Sequence, residues 1–317
     1  GSAGSNAAGL IAQTIGGGGG RVATVGGNLS LGRTSLLPNT GNTSAGAIEL
    51  TINSAAQLFS TGDTSPAVIA QTIGGGGGFA SATTGTVQLG SGGTSTLNAN
   101  ASAAGITWSN KAGGIVTENT ALGVTATEVP GISTRGNFSP AVVLQTIGGG
   151  GGYTTGGSSV SFSAASHGGT STSAGDITVT NDGVITTSGD NSFGMLLQTI
   201  GGGGGVGGSS SGVVSLNNTN ANSSSGDINF TNTGTIRTSG KGSHAVVAQT
   251  LAGGGGFVFG GVNKDSSEQL LGDPTGSSGD INITNSGTIS ATGENAVALL
   301  FQTATGGAYL YQNPDGT

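Results

Sequence analysis

Short runs of alternating apolar and polar residues recur along the chain, each closed by a turn signal. Ile177, Val179 and Asn181 alternate with Asp176, Thr178 and Thr180. Ile228, Phe230 and Asn232 repeat the pattern, as do Ile281, Ile283 and Asn285. Period two with β-branched residues predicts a strand with one buried face. The Ile, Val and Phe positions should therefore point inward, with Asp176, Asp227 and Asp280 pointing out. Asn-Asp-Gly, Asn-Thr-Gly and Asn-Ser-Gly follow at 181–183, 232–234 and 285–287 and predict a turn. A second short strand is expected at 184–187, 235–238 and 288–291, then a Ser-Gly or Thr-Gly corner. Next come a strand ending in Gln-Thr-Ile, a run of glycines, and another alternating pair such as Leu29 and Leu31 or Val160 and Phe162. No helical period appears.

These elements belong to an internal repeat. The string QTIGGGGG occupies 13–20, 71–78, 145–152 and 198–205, and decays to QTLAGGGG at 249–256 and QTATGG at 302–307. The glutamines are 58, 74, 53, 51 and 53 residues apart. The 74-residue interval exceeds the following 53 by 21, which predicts one inserted coil or a long loop near 118–135. Four short strands, glycine corners and a fixed period predict an all-β fold, a parallel β-solenoid. An antiparallel sandwich would not require one string at one place in every repeat. A coil of roughly 20–27 residues would fit two coils into each repeat. That predicts about 12 coils and, at ~4.8 Å per coil, a body of roughly 55–60 Å.

The strand before the glycines differs from the others. In residues 195–200, Leu196, Gln198 and Ile200 share one face, and Met195, Leu197 and Thr199 the other. A strand apolar on both faces is usually buried on both, so something should cover the second face. The glycines are the candidate. Each costs roughly 0.5–1 kcal/mol against Ala in regular structure, so the runs must have a use for lacking a Cβ. Two readings stand: flexible loops at corners, or a stacked, side-chain-free layer that another backbone can approach. In the second, Gly16, Gly76, Gly150, Gly203 and Gly254 mark the self-packing segments, and the layer either covers the Gln-Thr-Ile strand or drives association into fibres. Gln13, Gln71, Gln145, Gln198, Gln249 and Gln302 should form a structural amide ladder along the stack.

Composition narrows the function classes. The 317 residues include 68 Gly, with charged residues at 7% and a net charge of −7. Seven Lys and Arg make no basic stripe, which argues against nucleic acid and against docking on an anionic membrane. No apolar run reaches the roughly 18 residues of a membrane-spanning helix. Without cysteine there is no disulfide framework, thiolate metal site or cysteine nucleophile.

The string A-x-x-x-Q-T-I-G-G-G-G-G, with T-N-x-G-x-I-x-T-x-G upstream, resembles the Gly-rich repeats of large bacterial autotransporter passenger domains. The resemblance covers nearly the whole chain as a repeat style. It implies type V secretion, a right-handed β-helix, and display on a Gram-negative cell surface or release from it. Departures are the shortened glycine runs after Gln249 and Gln302 and the degenerate unit between Gly105 and Gln145. The chain opens mid-repeat, 4–15 aligning with 189–200 without a gap, so residues 1–317 are expected to form one array cut from a longer protein. Residues 303–317 depart from the repeat and are expected to be a cap or transition.

Candidate chemistry is sparse. His167 and His244 are the only histidines, and neither has a partner pattern pointing to a triad. Asp176, Asp227 and Asp280 read as solvated corner residues rather than a calcium column, because no glycine-aspartate nonapeptide accompanies them. Trp108 should replace the strand residue seen as Val179 or Phe230, and Tyr309 and Tyr311 should cap the end. No catalytic, cofactor or metal residue is assigned. The expected function is an extracellular structural or adhesive surface, self-associating into filaments or a matrix and meeting a glycan or protein. The alternatives are a polysaccharide-acting or glycan-binding β-helix, and an ice-binding solenoid. The last is weakened where Asn229 and Asn282 replace Thr178.

Overall fold

The computed structural model describes residues 1–32, 42–90, 100–120, 123–156, 159–163, 171–208, 214–217, 222–259, 276–313 and 315–317. They form an all-β structure built almost entirely from parallel sheets. Each parallel sheet takes one strand from each repeat, so residues about 52 apart pair in register. Gln13 lies beside Gln71, Gln71 beside Gln145, and so on to Gln302.

Two six-stranded sheets dominate. The Gln sheet consists of Leu10–Ile15, Val68–Ile73, Val142–Ile147, Met195–Ile200, Val246–Leu251 and Leu299–Ala304. The glycine sheet consists of Gly19–Val25, Gly77–Thr83, Gly150–Thr154, Gly203–Gly207, Gly255–Phe259 and Ala308–Gln312. An Asn sheet follows with Ile48–Ile52, Ile106–Asn110, Ile177–Asn181, Ile228–Asn232 and Ile281–Asn285. A Thr sheet contains Leu58–Ser60, Ile132–Thr134, Val184–Thr187, Thr235–Thr238 and Thr288–Ala291. Two four-stranded sheets complete the set, one including Thr86–Gly90 and Ser159–Ser163, the other Ala101–Ala103 and Ser171–Ser173.

One repeat therefore makes one layer, not two. Five steps of ~4.8 Å put the six layers within about 24 Å, less than half the length expected for twelve coils. The reason is the path of the chain: strands some 25 residues apart stand on different walls of the same layer instead of stacking. The 21-residue excess is neither a coil nor an open loop. It is an antiparallel hairpin, Gly113–Thr120 with Gly123–Pro130, beginning a few residues earlier than expected. An insertion that pairs with itself leaves the flanking strands in register. Residues 308–312 do not leave the repeat either, because they continue the glycine sheet beside Gly255–Phe259.

The core has two main compartments that share the Gln sheet as a wall. On one side Val68, Ala70, Val142, Leu144, Met195 and Leu197 pack against Ile106, Trp108, Ile177, Val179, Ile228 and Phe230 of the Asn sheet and Ile132, Ile185 and Ile236 of the Thr sheet. Trp108 stands in register with Val179. On the other side Ile69, Val143, Leu196 and Val247 meet Phe79, Tyr153, Val206 and Phe257 of the glycine sheet. The glycine segment folding back thus supplies the second cover. A smaller cluster, with Ala80, Val87, Leu89, Val160 and Phe162, closes the far face of the glycine sheet. Ile281 and Ile283 reach the core from the last layer and are only partly buried.

Candidate functional site

Stacked equivalents make ladders. Gln13 Nε2 donates to Gln71 Oε1 at 2.6 Å, and the pattern continues through Gln145, Gln198 and Gln249 to Gln302 at 2.6–2.8 Å. The four inner glutamines are fully buried, so each amide finds its partners along the stack. Asn110, Asn181, Asn232 and Asn285 form a second ladder at 2.7–2.8 Å. Asp176 and Asp227 are not merely solvated: each carboxylate accepts the backbone N–H of the aspartate one layer on, at 2.8 Å. A serine ladder escaped sequence reasoning. Ser139, Ser192 and Ser243 hydroxyls accept the N–H of Ser65, Ser139 and Ser192 at 2.9 Å. Its only sequence signal is a Ser five residues beyond each of the first four Thr-sheet strands, at 65, 139, 192 and 243.

The four inner glycine runs are enclosed. Gly76, Gly150, Gly203 and Gly254 are buried, and Gly16 is half-buried. Their backbones pair within the chain: Gly16 N–H donates to the Ile73 carbonyl, Gly76 O accepts from Gly151, Gly150 lies beside Gly203, and Gly254 O accepts from Ala308. The first glycine of a run touches another backbone, and a Cβ on Gly148 would lie 2.7 Å from Ser173 main-chain atoms. Further along, Gly204 has φ +157° and Gly205 φ +136°, an extended conformation open to glycine. A Cβ on Gly204 would fall on the Gly255 carbonyl oxygen. These runs are an internal layer, so the alternative of an exposed glycine surface joining molecules does not describe the inner four.

Two titratable groups are shifted by burial. The His244 imidazole, stacked 5.2 Å from Phe193 and accepting the Val297 N–H at 2.9 Å, is pulled down to about 4. The Tyr153 hydroxyl is pushed above the ordinary phenol range. His167 lies outside the described residues. Among the described residues no three or more of His, Cys, Asp and Glu gather as a metal-holding group.

Among the described residues, a surface feature lies where the hairpin leaves the body. Its root, Pro130, stands over the outer face of the Thr sheet and divides that face into two grooves of about 410 and 320 Å³. The larger is lined by Ser133, Arg135, Thr186, Ser188, Arg237 and Ser290 among others; the smaller shares Ser133 and Arg135 and adds Phe59 and Gln57. Phe59 is 46% exposed. Sequence reasoning missed this place because its residues come from five different repeats. No protein-family model, curated protein or solved structure matches the chain. Nor is any helix among the described residues long and apolar enough to cross a membrane.

Proposed function

We propose that the chain is a structural and adhesive segment of a secreted surface protein of autotransporter type, wound as a right-handed parallel β-solenoid. The observation that carries this reading is the layer-to-layer register. Every parallel sheet pairs each repeat with the next, and Gln, Asn and Ser ladders run through consecutive layers. Stacks of this kind grow by adding repeats and present long, regular outer faces, which suits a stalk or adhesive surface. The sequence motifs carry the secretion route and the bacterial surface location. Association into filaments belongs to the same reading. It is assigned to faces other than the glycine layer, which is covered by the chain's own sheets.

Electron microscopy of the purified chain, joined to adhesion of protein-coated particles on cells and glycan-coated surfaces, tests this. Particles or fibres with a 4.8 Å axial repeat, together with adhesion lost on denaturation, are the expected result. An antiparallel sandwich would overturn the architecture, and native particles that adhere to nothing would overturn the adhesive role.

A further inference from the structure

We infer that the chain is an acceptor for N-linked sugar, attached to asparagines at the heads of the short strands in the two four-stranded sheets. This goes beyond the adhesive reading and does not depend on it. The pattern Asn-x-Ser/Thr, with x other than Pro, is the acceptor for sugar on the asparagine amide. It occurs eight times. In a chain this rich in Ser and Thr the pattern alone means little, and placement decides. The buried asparagines, Asn110, Asn181, Asn191 and Asn232, all stand outside the pattern. Four copies share one kind of place. Asn42, Asn100 and Asn222 head Thr43–Ala45, Ala101–Ala103 and Asn222–Ser224 of one four-stranded sheet, and Asn28 heads Leu29–Leu31 of the other. The first three belong to a column in which Asn42 lies beside Asn100, Asn100 beside Ser171, and Ser171 beside Asn222. All four asparagines are exposed, those of inner layers included.

The amides are oriented for this. Oδ1 of Asn28 accepts the Thr86 N–H at 3.0 Å, that of Asn42 the Asn100 N–H at 3.1 Å, and that of Asn100 the Ser171 N–H at 3.2 Å. The layer above thus holds the oxygen and leaves Nδ2, the atom that takes the sugar, without a hydrogen bond to a described residue. The buried ladder does the reverse: Asn110, Asn181 and Asn232 each spend Nδ2 on the asparagine one layer on. In an extended strand residues two apart share a face. The hydroxyls of Ser30, Ser44, Ser102 and Ser224 therefore stand on the same side as their asparagines, and none of them is buried. Asn137 is the counterexample. It is exposed, but the hydroxyl of its pattern, on Ser139, is buried in the serine ladder. Asn229 and Asn282 lie inside strands of the Asn sheet and are joined to each other, Asn282 Nδ2 donating to Asn229 Oδ1 at 3.1 Å. The co-reactant is a nucleotide-activated hexose. Nδ2 attacks its anomeric carbon, and an N–C bond forms as the C–O bond to phosphate breaks. The nucleoside diphosphate leaves with the electron pair, and the amide gives one proton to solvent.

The test is peptide mapping by mass spectrometry of the chain recovered from the cells that produce it. Hexose is expected on Asn28, Asn42, Asn100 and Asn222, with occupancy at Asn137, Asn229 and Asn282 at least tenfold lower. Asn100→Gln should remove the sugar from its own peptide and leave the others unchanged. Ser102→Ala keeps the asparagine and should lose the same sugar, while Ser102→Thr should keep it. The Asn100 side chain is exposed and that of Ser102 half-buried, so each variant should melt at the wild-type temperature, which shows that folding is intact. Bare asparagine at all four positions, occupancy of Asn137 equal to theirs, or sugar retained by Ser102→Ala would each overturn the inference.

Discussion

The Gln sheet and the Asn sheet are stacked by the same rule and buried by opposite ones. In Val68–Ile73, Val142–Ile147, Met195–Ile200 and Val246–Leu251 every residue is buried. In Ile177–Asn181 buried residues alternate with an exposed Thr178 and a half-buried Thr180. The Asn sheet is an outer wall with one wet face. The Gln sheet is an inner partition, and its second face needs a cover that fits. Aromatic side chains fill part of that space, and segments without side chains let the covering backbone come close. The glycine run serves the partition, and the Asn sheet, open to water, has none.

The largest test of this difference is a branched side chain in the glycine layer. Gly204→Val would place carbon atoms on the Gly255 carbonyl and force a conformation that Val avoids. It should leave the protein insoluble or lower its melting temperature by more than ten degrees, a loss of at least several kcal/mol. Thr178→Val, on the wet face of the Asn sheet, should move stability by no more than about 0.5 kcal/mol. Equal effects would remove the distinction between partition and outer wall.

A smaller effect is expected from the ladder inside the partition. Gln198→Leu keeps the shape but strands the Gln249 Oε1 acceptor and removes the acceptor for Gln145 Nε2. Each orphaned buried group costs about 1–3 kcal/mol, and chemical denaturation should show a loss of that order. A neutral result would mean that water reaches the ladder.

His244 sharpens the comparison through pH, because it sits on the glycine-sheet side of the partition against Phe193. Its folded pKa, about 4, lies below the unfolded value near 6.5. The unfolded chain therefore binds a proton first as pH falls. The histidine's stabilising contribution is complete above 6.5 and is lost progressively down to about 4. At pH 5 the loss should approach roughly 2 kcal/mol. His244→Gln should flatten the melting-temperature profile between pH 6.5 and 5, and a slope identical to wild type would assign the pH dependence to other groups.

The smallest expected change is a gain. One corner residue per layer is left-handed: Asn6, Thr64, Phe138, Asn191, Gly242 and Asn295, at φ 52–63°. Asn and Gly tolerate this region and a β-branched residue does not. Thr64→Asn should raise stability by about 0.5–1 kcal/mol, measurable as a small rise in melting temperature. A fall would show that the Thr64 hydroxyl bond to Asn6 at 2.5 Å outweighs the backbone strain.

Much of this was legible because identical residues at a near-constant interval can satisfy one another only by stacking. Gln13 through Gln302 spell the register, Ile177 and Val179 spell the inward face, and the two-sided apolar character of 195–200 spells a covered strand. Period-two alternation speaks only of neighbouring residues on one strand. It could not say that strands 25 residues apart stand on different walls of one layer, and so the coil count came out doubled. The excess before Gln145 showed that something was inserted, but a hairpin pairs within itself and leaves no mark on the repeat.

By itself, then, the sequence determined the all-β class, the partners across each parallel sheet and the need for a second cover, since periodicity and chemistry act locally and repeat to repeat. Only the tertiary structure decided that each repeat makes a single layer, that the inner glycine runs lie inside, and that Arg135 and Arg237 line one groove. Those facts depend on where the chain turns within a layer, which brings together residues a hundred positions apart that no local pattern connects.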